Sequence, residues 1–190
     1  MKKNVKSILT GLVAAALLAG LSSCSNGSSD NTGNDDIVQS ITFEETTSIL
    51  EGIQDGDNVW GSGTKTTKNS DNTYKVVAAG AGQGGWGGNI AAIPVCFGAG
   101  DLTGYTHIII EADISNFTLN ADNDKYPPVE LKLANADDSK TKIINATSLF
   151  KNQKATIAIS SVDFLDDVTK IMFSFRGSGS LILKDISKAK

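Results

Sequence analysis

Residues Asp101–Ile114 read DLTGYTHIIIEADI. Asp101, Thr103 and Gly104 are turn formers. From Ile108 the chain alternates: Ile108, Ile110, Ala112 and Ile114 point one way, Ile109, Glu111 and Asp113 the other. The β-branched run favours a strand over a helix. Burying Ile108, Ile110 and Ile114 contributes roughly 1.5–3 kcal/mol each. A strand with one apolar face needs a second layer over it, which predicts a sandwich.

Outward from this strand, short apolar or alternating runs recur between turn signals. Ile41–Glu45 reads as a first strand, and Thr46–Asp57 as one helical turn or a loop packed on the core. Val59–Gly63 reads as a short strand or edge loop, and Thr73–Ala79 as a strand with Tyr74, Val76 and Ala78 on one face. Gly80–Gly88 (GAGQGGWGG) holds six glycines in nine residues, a loop able to approach another backbone closely. Asn89–Phe97 is a strand that Pro94 places near an edge or bulge. Asn116–Pro128 reads as a long polar loop ending in Tyr126-Pro127-Pro128. Val129–Leu133, Lys142–Ile144, Thr156–Ile159, Lys170–Arg176 and Leu181–Ser187 follow as strands, the last two parted by Gly177-Ser178-Gly179. About nine strands without a long helix predict an all-β antiparallel sandwich.

The totals agree. A chain of 190 residues with 40% hydrophobic and 20% charged residues fills one globular domain. The formal net charge is −4, and residues 1–23 hold Lys2, Lys3 and Lys6 without an acid, so the remainder is more acidic still. An acidic domain without a basic patch argues against nucleic acid as a partner and against electrostatic docking on anionic lipid.

Lys2, Lys3 and Lys6 precede an apolar run, Ile8–Leu21, too short for a membrane span. Leu21-Ser22-Ser23-Cys24 follows. This order resembles the bacterial lipobox, which implies cleavage after residue 23 and acylation of Cys24. Residues 1–23 are then a lipoprotein signal peptide, and the acyl chains on Cys24 insert in a bilayer at about 0.8 kcal/mol per buried methylene. The implied location is the bacterial cell envelope, at the outer membrane or cell surface. Residues 24–40 include SNGSSDNTGNDD and read as a flexible tether, with a reach of roughly 5–6 Å times the square root of its length. Residues 41–190 are the sandwich domain.

Taken in order, the domain resembles a carbohydrate-binding module of the jelly-roll, galactose-binding-like type. The carriers are Phe43-Glu44 at the opening, Trp86-Gly87-Gly88 before a strand, and Asp101-Leu102-Thr103-Gly104-Tyr105 leading into the central strand. Asp167-Val168-Thr169-Lys170-Ile171 then precedes a Phe-rich strand, and Leu183-Lys184-Asp185-Ile186 closes the domain. The resemblance implies glycan binding on a concave sheet face or at loop tips. It also implies a structural calcium between the first and last strands, here through Glu44 and Asp185 with backbone carbonyls and waters. Aromatic residues make up 6% of the chain, and Lys184-Asp185 stands where an acidic pair is common in such modules.

Several constellations bear on function. Trp60 and Trp86, each in a Gly-rich setting, are core residues or a stacking platform for a sugar ring. Gln83 and Asn89 lie near Trp86 and carry the donors and acceptors that hydroxyls require. Glu111, Asp113 and Glu130 form cross-strand ion pairs with Lys132 and Arg176 on a sheet face, or that face, around Glu111, Glu130 and Arg176, is the polar floor of a sugar groove. As catalytic carboxylates, Glu111, Asp113 and Glu130 would need a pair about 5–9.5 Å apart. His107, the single histidine, lacks partners for zinc or for a triad. Cys96, in Pro94-Val95-Cys96-Phe97, reads as a buried inert thiol. GAGQGGWGG is followed by neither Lys-Ser/Thr nor a helix, which removes a phosphate cradle. The resulting reading is a membrane-anchored lipoprotein whose sandwich is a non-catalytic carbohydrate-binding module. The alternative is a structural or adhesion lipoprotein that meets protein partners through a sheet face or edge.

Overall fold

The structure is a computed structural model that describes residues 41–54, 63–80, 89–121 and 126–190. Its ten strands are β1 (Thr46–Ser48), β2 (Lys65–Lys68), β3 (Tyr74–Val77), β4 (Ile90–Cys96), β5 (His107–Asp113), β6 (Phe117–Leu119), β7 (Val129–Ala134), β8 (Thr141–Asn145), β9 (Lys154–Ala158) and β10 (Lys170–Ala189). All pairings are antiparallel. The chain is an all-β antiparallel β-sandwich, as its alternation predicts.

β10 is the organising element. Its first part, Lys170–Arg176, lies between β4 on one side and β7 on the other, with β8 beyond β7. Its last part, Ser180–Ala189, pairs with β3 and β1 on one side and with β5 on the other; β2 and β9 flank these. One strand thus belongs to both sheets. It crosses at Gly177–Gly179, which pair with β6. Gly177 has φ 156° and Gly179 φ 112°. A Cβ on Gly177 would lie 2.0 Å from the Thr118 carbonyl oxygen, and one on Gly179 2.2 Å from that of Asn116. Only glycine permits this crossing. The sequence predicts a break between two strands here; the pairing with β6 makes it one continuous strand.

The core lies between the two sheets. Ile108, Ile110, Ala112, Ile157, Leu183 and Ile186 from one meet Ile93, Val95, Leu131, Leu133, Ile171, Phe173 and Phe175 from the other. Inward residues of β5 match the predicted face. Phe175 is held edge-on by Phe117 and Phe150, at centroid distances of 6.4 and 5.2 Å.

Other elements differ from expectation. Ile41–Glu45 is not a strand: Glu44 N–H and Glu45 N–H both donate to the Lys190 carbonyl, one residue past β10. Pairing starts at Thr46, against Ala189. The turn predicted within Thr46–Asp57 is a 3₁₀ turn at Leu50–Gly52. β2 is KTTK, without an apolar residue to signal it, and exists through its pairing with β3. β6 arises inside the predicted polar loop, where Phe117 reaches the core. Pro94 lies in β4, which pairs along its length with β10 alone among the described residues; its other side carries isolated bridges, Ile53 to Val95 and Ala79 to Ile90. Val59–Gly63, apart from Gly63, lies outside the described residues.

Candidate functional site

The outward side of the β4–β10–β7–β8 sheet is unlike an ordinary solvated face. The cross-strand register sets its rows: Cys96, Lys170, Ala134 and Thr141; Pro94, Met172, Lys132 and Ile143; Ala92, Ser174, Glu130 and Asn145; Ile90 and Arg176. At the β4 side the face is apolar and covered, with Ile90, Ala92 and Met172 forming a second buried cluster with Ala79. Thr64 seals it: its hydroxyl donates to the Ile90 carbonyl (3.1 Å) and accepts from Ala92 N–H (2.9 Å). Toward β8 the face opens, with Ile143 57% exposed.

Between these zones run the polar side chains. Arg176 Nη2 donates to Glu130 Oε1 at 3.2 Å, a pair whose side chains are only 11% and 6% exposed. The Tyr126 ring lies over this guanidinium, 5.1 Å from its centroid to Cζ, and is itself half exposed. Buried Pro127 and Pro128 fix the chain leading from Tyr126 into β7. Asp138 bridges two cations of the face, Lys170 Nζ at 2.8 Å and Lys132 Nζ at 3.6 Å. Two buried donors on the face have no partner, the Ser174 hydroxyl and Arg176 Nε–H.

The Arg176 backbone gathers three chain segments. Its N–H donates to the Pro128 carbonyl (2.7 Å), its carbonyl accepts from Asn120 N–H (2.9 Å), and the next N–H, of Gly177, donates to the Asn89 carbonyl (3.0 Å). Of the predicted site residues, Asn89, Glu130 and Arg176 are therefore brought together. Glu111 is not. It lies on β5 in the other sheet, opposite Asp185 and Lys154, with Lys184 Nζ 3.9 Å away. Glu111, Glu130 and Arg176 do not share a face, because alternation fixes a residue's side of its own sheet and says nothing about which sheet holds it. The carboxylates considered for hydrolysis are likewise split, Glu111 and Asp113 on β5 against Glu130 on β7. Trp60, Gln83, Trp86 and Cys24 lie outside the described residues.

The predicted metal pair is corrected by register. Ser48 stands opposite Ser187, so Asp185 aligns with Leu50, whereas Glu44 precedes β1 altogether. Six residues separate the two positions along the strands, about 20 Å at 3.3 Å each. Asp185 is also engaged, accepting from the hydroxyls of Ser48 (2.9 Å) and Ser187 (2.7 Å). Glu44 and Asp185 are not brought together. Among the described residues no group of three or more His, Cys, Asp or Glu could hold a metal ion.

His107 opens β5, with Nδ1 2.8 Å from the Thr106 hydroxyl and its ring against Phe43. Cys96 is a half-buried free thiol that burial pushes above the usual thiol range, against a smaller opposing pull from Lys170. His107 matches its reading as a strand-end residue, whereas Cys96, read as buried, is only partly so because it ends β4. Sequence reasoning found Lys132 as an ion-pair partner on the face and missed Tyr126, Ser174 and Asp138 as members of the site. Outward alternation places Ser174 between Met172 and Arg176, and an aromatic before Pro-Pro at a strand start was the available sign for Tyr126.

No family model and no curated protein matches the chain. Solved structures that it resembles include a family 28 carbohydrate-binding module specific for non-crystalline cellulose (14% identity, TM-score 0.45, 75% of this chain and 92% of that one). A family 29 module matches at 13% identity and TM-score 0.40, over 76% and 88% of the two chains. A family 11 module from Clostridium thermocellum, in complex with a β-1,3-1,4-mixed-linked tetrasaccharide, matches at 13% identity and TM-score 0.37, over 66% and 81%.

Proposed function

We propose that this protein is a lipid-anchored glycan-binding module of a bacterial cell envelope, acting by binding and without catalysis. The observation that carries the binding role is the buried polar row in the middle of a sheet face. Glu130, Arg176 and Ser174 hold donors and acceptors beside the half-exposed ring of Tyr126. A sugar needs this combination, an aromatic face for its C–H bonds and paired polar groups for its hydroxyls. Asn145 extends the row toward the open side of the face, with the exposed Ile143 in the row beside it. Trp60, Gln83 and Trp86 belong to the same proposal.

A few exposed contacts and one or two stacked rings give modest affinity, on the order of micromolar to millimolar dissociation constants. A glycan array with wild-type protein and with Tyr126→Ala and Trp86→Ala tests the reading. Binding that both variants weaken, with unchanged unfolding curves, supports it; an array without a single binding glycan overturns it. The anchor rests on the lipobox-like Leu21–Cys24. Cys24→Ser should abolish incorporation of labelled palmitate, and continued incorporation would refute the anchor.

A second reading has its own observation. β8 pairs with β7 alone among the described residues and carries the exposed Ile143. Such an edge can take a strand from a protein partner. Loss of a pulled-down partner on Ile143→Lys, with glycan binding intact, would favour this adhesion role.

A further inference from the structure

We propose that the glycan held on this face is an acidic one, whose uronate carboxylate is seated by Arg176 and Ser174; this rests on the glycan-binding reading and narrows it. The two unpartnered buried groups on the face are both donors. Arg176 Nε–H can only donate, and the Ser174 hydroxyl, fully buried two residues before it, is free to do so. A binding face built for neutral hydroxyls alone needs acceptors as much as donors. Here the Glu130 carboxylate is already engaged at one oxygen by the same guanidinium, and the Ser174 hydroxyl can accept as well as donate.

That engagement is through one nitrogen only. Glu130 takes Nη2 by a single contact at 3.2 Å, leaving the Nε–H of the guanidinium unused. A planar guanidinium is matched best by a carboxylate, which accepts charge-assisted bonds from it. The remaining donor capacity therefore calls for an anion rather than a second neutral oxygen. Lys132 and Lys170 stand further along the face, with side chains 17% and 13% exposed, and share the single carboxylate of Asp138. Tyr126 covers the guanidinium and is half exposed, so turning this ring aside admits the carboxylate while keeping an aromatic surface beside the sugar. The whole chain carries a formal charge of −4. A polyanion is thus repelled by the molecule at large, and binding has to come from this local geometry.

The test is affinity electrophoresis and calorimetry of the full chain against polygalacturonate, alginate, cellohexaose and poly-glutamate, at two salt concentrations. The expected result is binding to polygalacturonate or alginate at least tenfold tighter than to cellohexaose, and none to poly-glutamate. Ser174→Ala should weaken uronate binding about tenfold while leaving the urea midpoint unchanged or raised, because it removes an unpaired hydroxyl. Arg176→Lys, which keeps the charge and loses the fork, should weaken it by a similar factor. Equal or tighter binding of cellohexaose overturns the acidic class and leaves the glycan-binding reading standing. Binding of poly-glutamate as tight as that of uronates, or unchanged uronate affinity in Ser174→Ala, overturns the proposed seat. Absence of binding to all three carbohydrates overturns this inference, and the glycan array decides the reading beneath it.

Discussion

Replacing Glu130 by alanine should destabilise the domain far more than replacing Glu130 and Arg176 together. The two side chains are 6% and 11% exposed and 3.2 Å apart. Arg176 Nε–H already lacks a partner. Removing the carboxylate would leave a nearly buried guanidinium with neither counter-charge nor acceptor for Nη2, a loss of about 3–5 kcal/mol when one partner of a buried pair is deleted. For a domain of this size that lowers the melting temperature by about 6–20 °C, at 2–4 °C per kcal/mol. In Glu130→Leu with Arg176→Met, both charges vanish into apolar groups of similar volume beside Met172. Such replacements are commonly neutral or stabilising, so the double variant should lie within about 1 kcal/mol of wild type. Urea unfolding at neutral pH, with m-values compared to confirm two-state behaviour, measures both. Equal, large losses in the single and double variants would refute the reasoning. The pair would then be a net source of stability rather than a polar feature kept for a ligand.

Gly179→Ala forces a side chain onto φ 112° and against the Asn116 carbonyl oxygen at 2.2 Å; it should cost at least about 1–3 kcal/mol for the backbone conformation alone, and an unshifted urea midpoint would contradict the crossing as described. Glu45 is held below the usual carboxylate range, first by its bond with Lys190 and then by Tyr105, whose hydroxyl donates to Oε1 at 3.1 Å. A depressed carboxylate stabilises above its unfolded value and loses that contribution as pH falls through its folded one. The melting-temperature gap between wild type and Glu45→Gln should therefore close as pH is lowered from neutral to below the usual carboxylate range, and a gap that widens would refute the clamp. Cys96, its thiol pushed up by burial, should react with a disulfide reagent at neutral pH more slowly than a free thiol, measured in a Cys24→Ser background; reaction at the free-thiol rate would contradict its burial.

The period-2 alternation made the sandwich legible, since Ile108, Ile110, Phe173 and Phe175 each fall on the predicted inner face. It could not reveal β2, whose KTTK carries no apolar signal, nor the unity of β10, because Gly177 and Gly179 look like punctuation when read locally. Their role is decided by the close approach of Asn116 and Thr118, residues some sixty positions away. The same limit governed the site. Glu130 and Arg176 were recognisable as outward-facing charges, and their pairing follows from adjacent strands. Glu111 carries the same alternation signal, yet β5 belongs to the other sheet. Glu44 and Asp185 were placed on neighbouring strands, but register, which composition does not encode, sets them about 20 Å apart. Ser174 gains its meaning from what fails to bond to it, a property visible only in three dimensions.

The central claim is that ligand meets the outward face of the β4–β10–β7–β8 sheet. Titrating nitrogen-15-labelled protein with trigalacturonate and with cellohexaose, and following backbone and arginine side-chain resonances, tests this most directly. The account predicts shifts in Tyr126, Glu130, Ser174, Asn145 and the Arg176 Nε–H with trigalacturonate, while Glu111, Lys154 and Asp185 stay fixed. Shifts centred on Glu111 and Asp185, with Arg176 Nε–H unmoved by either sugar, would contradict it.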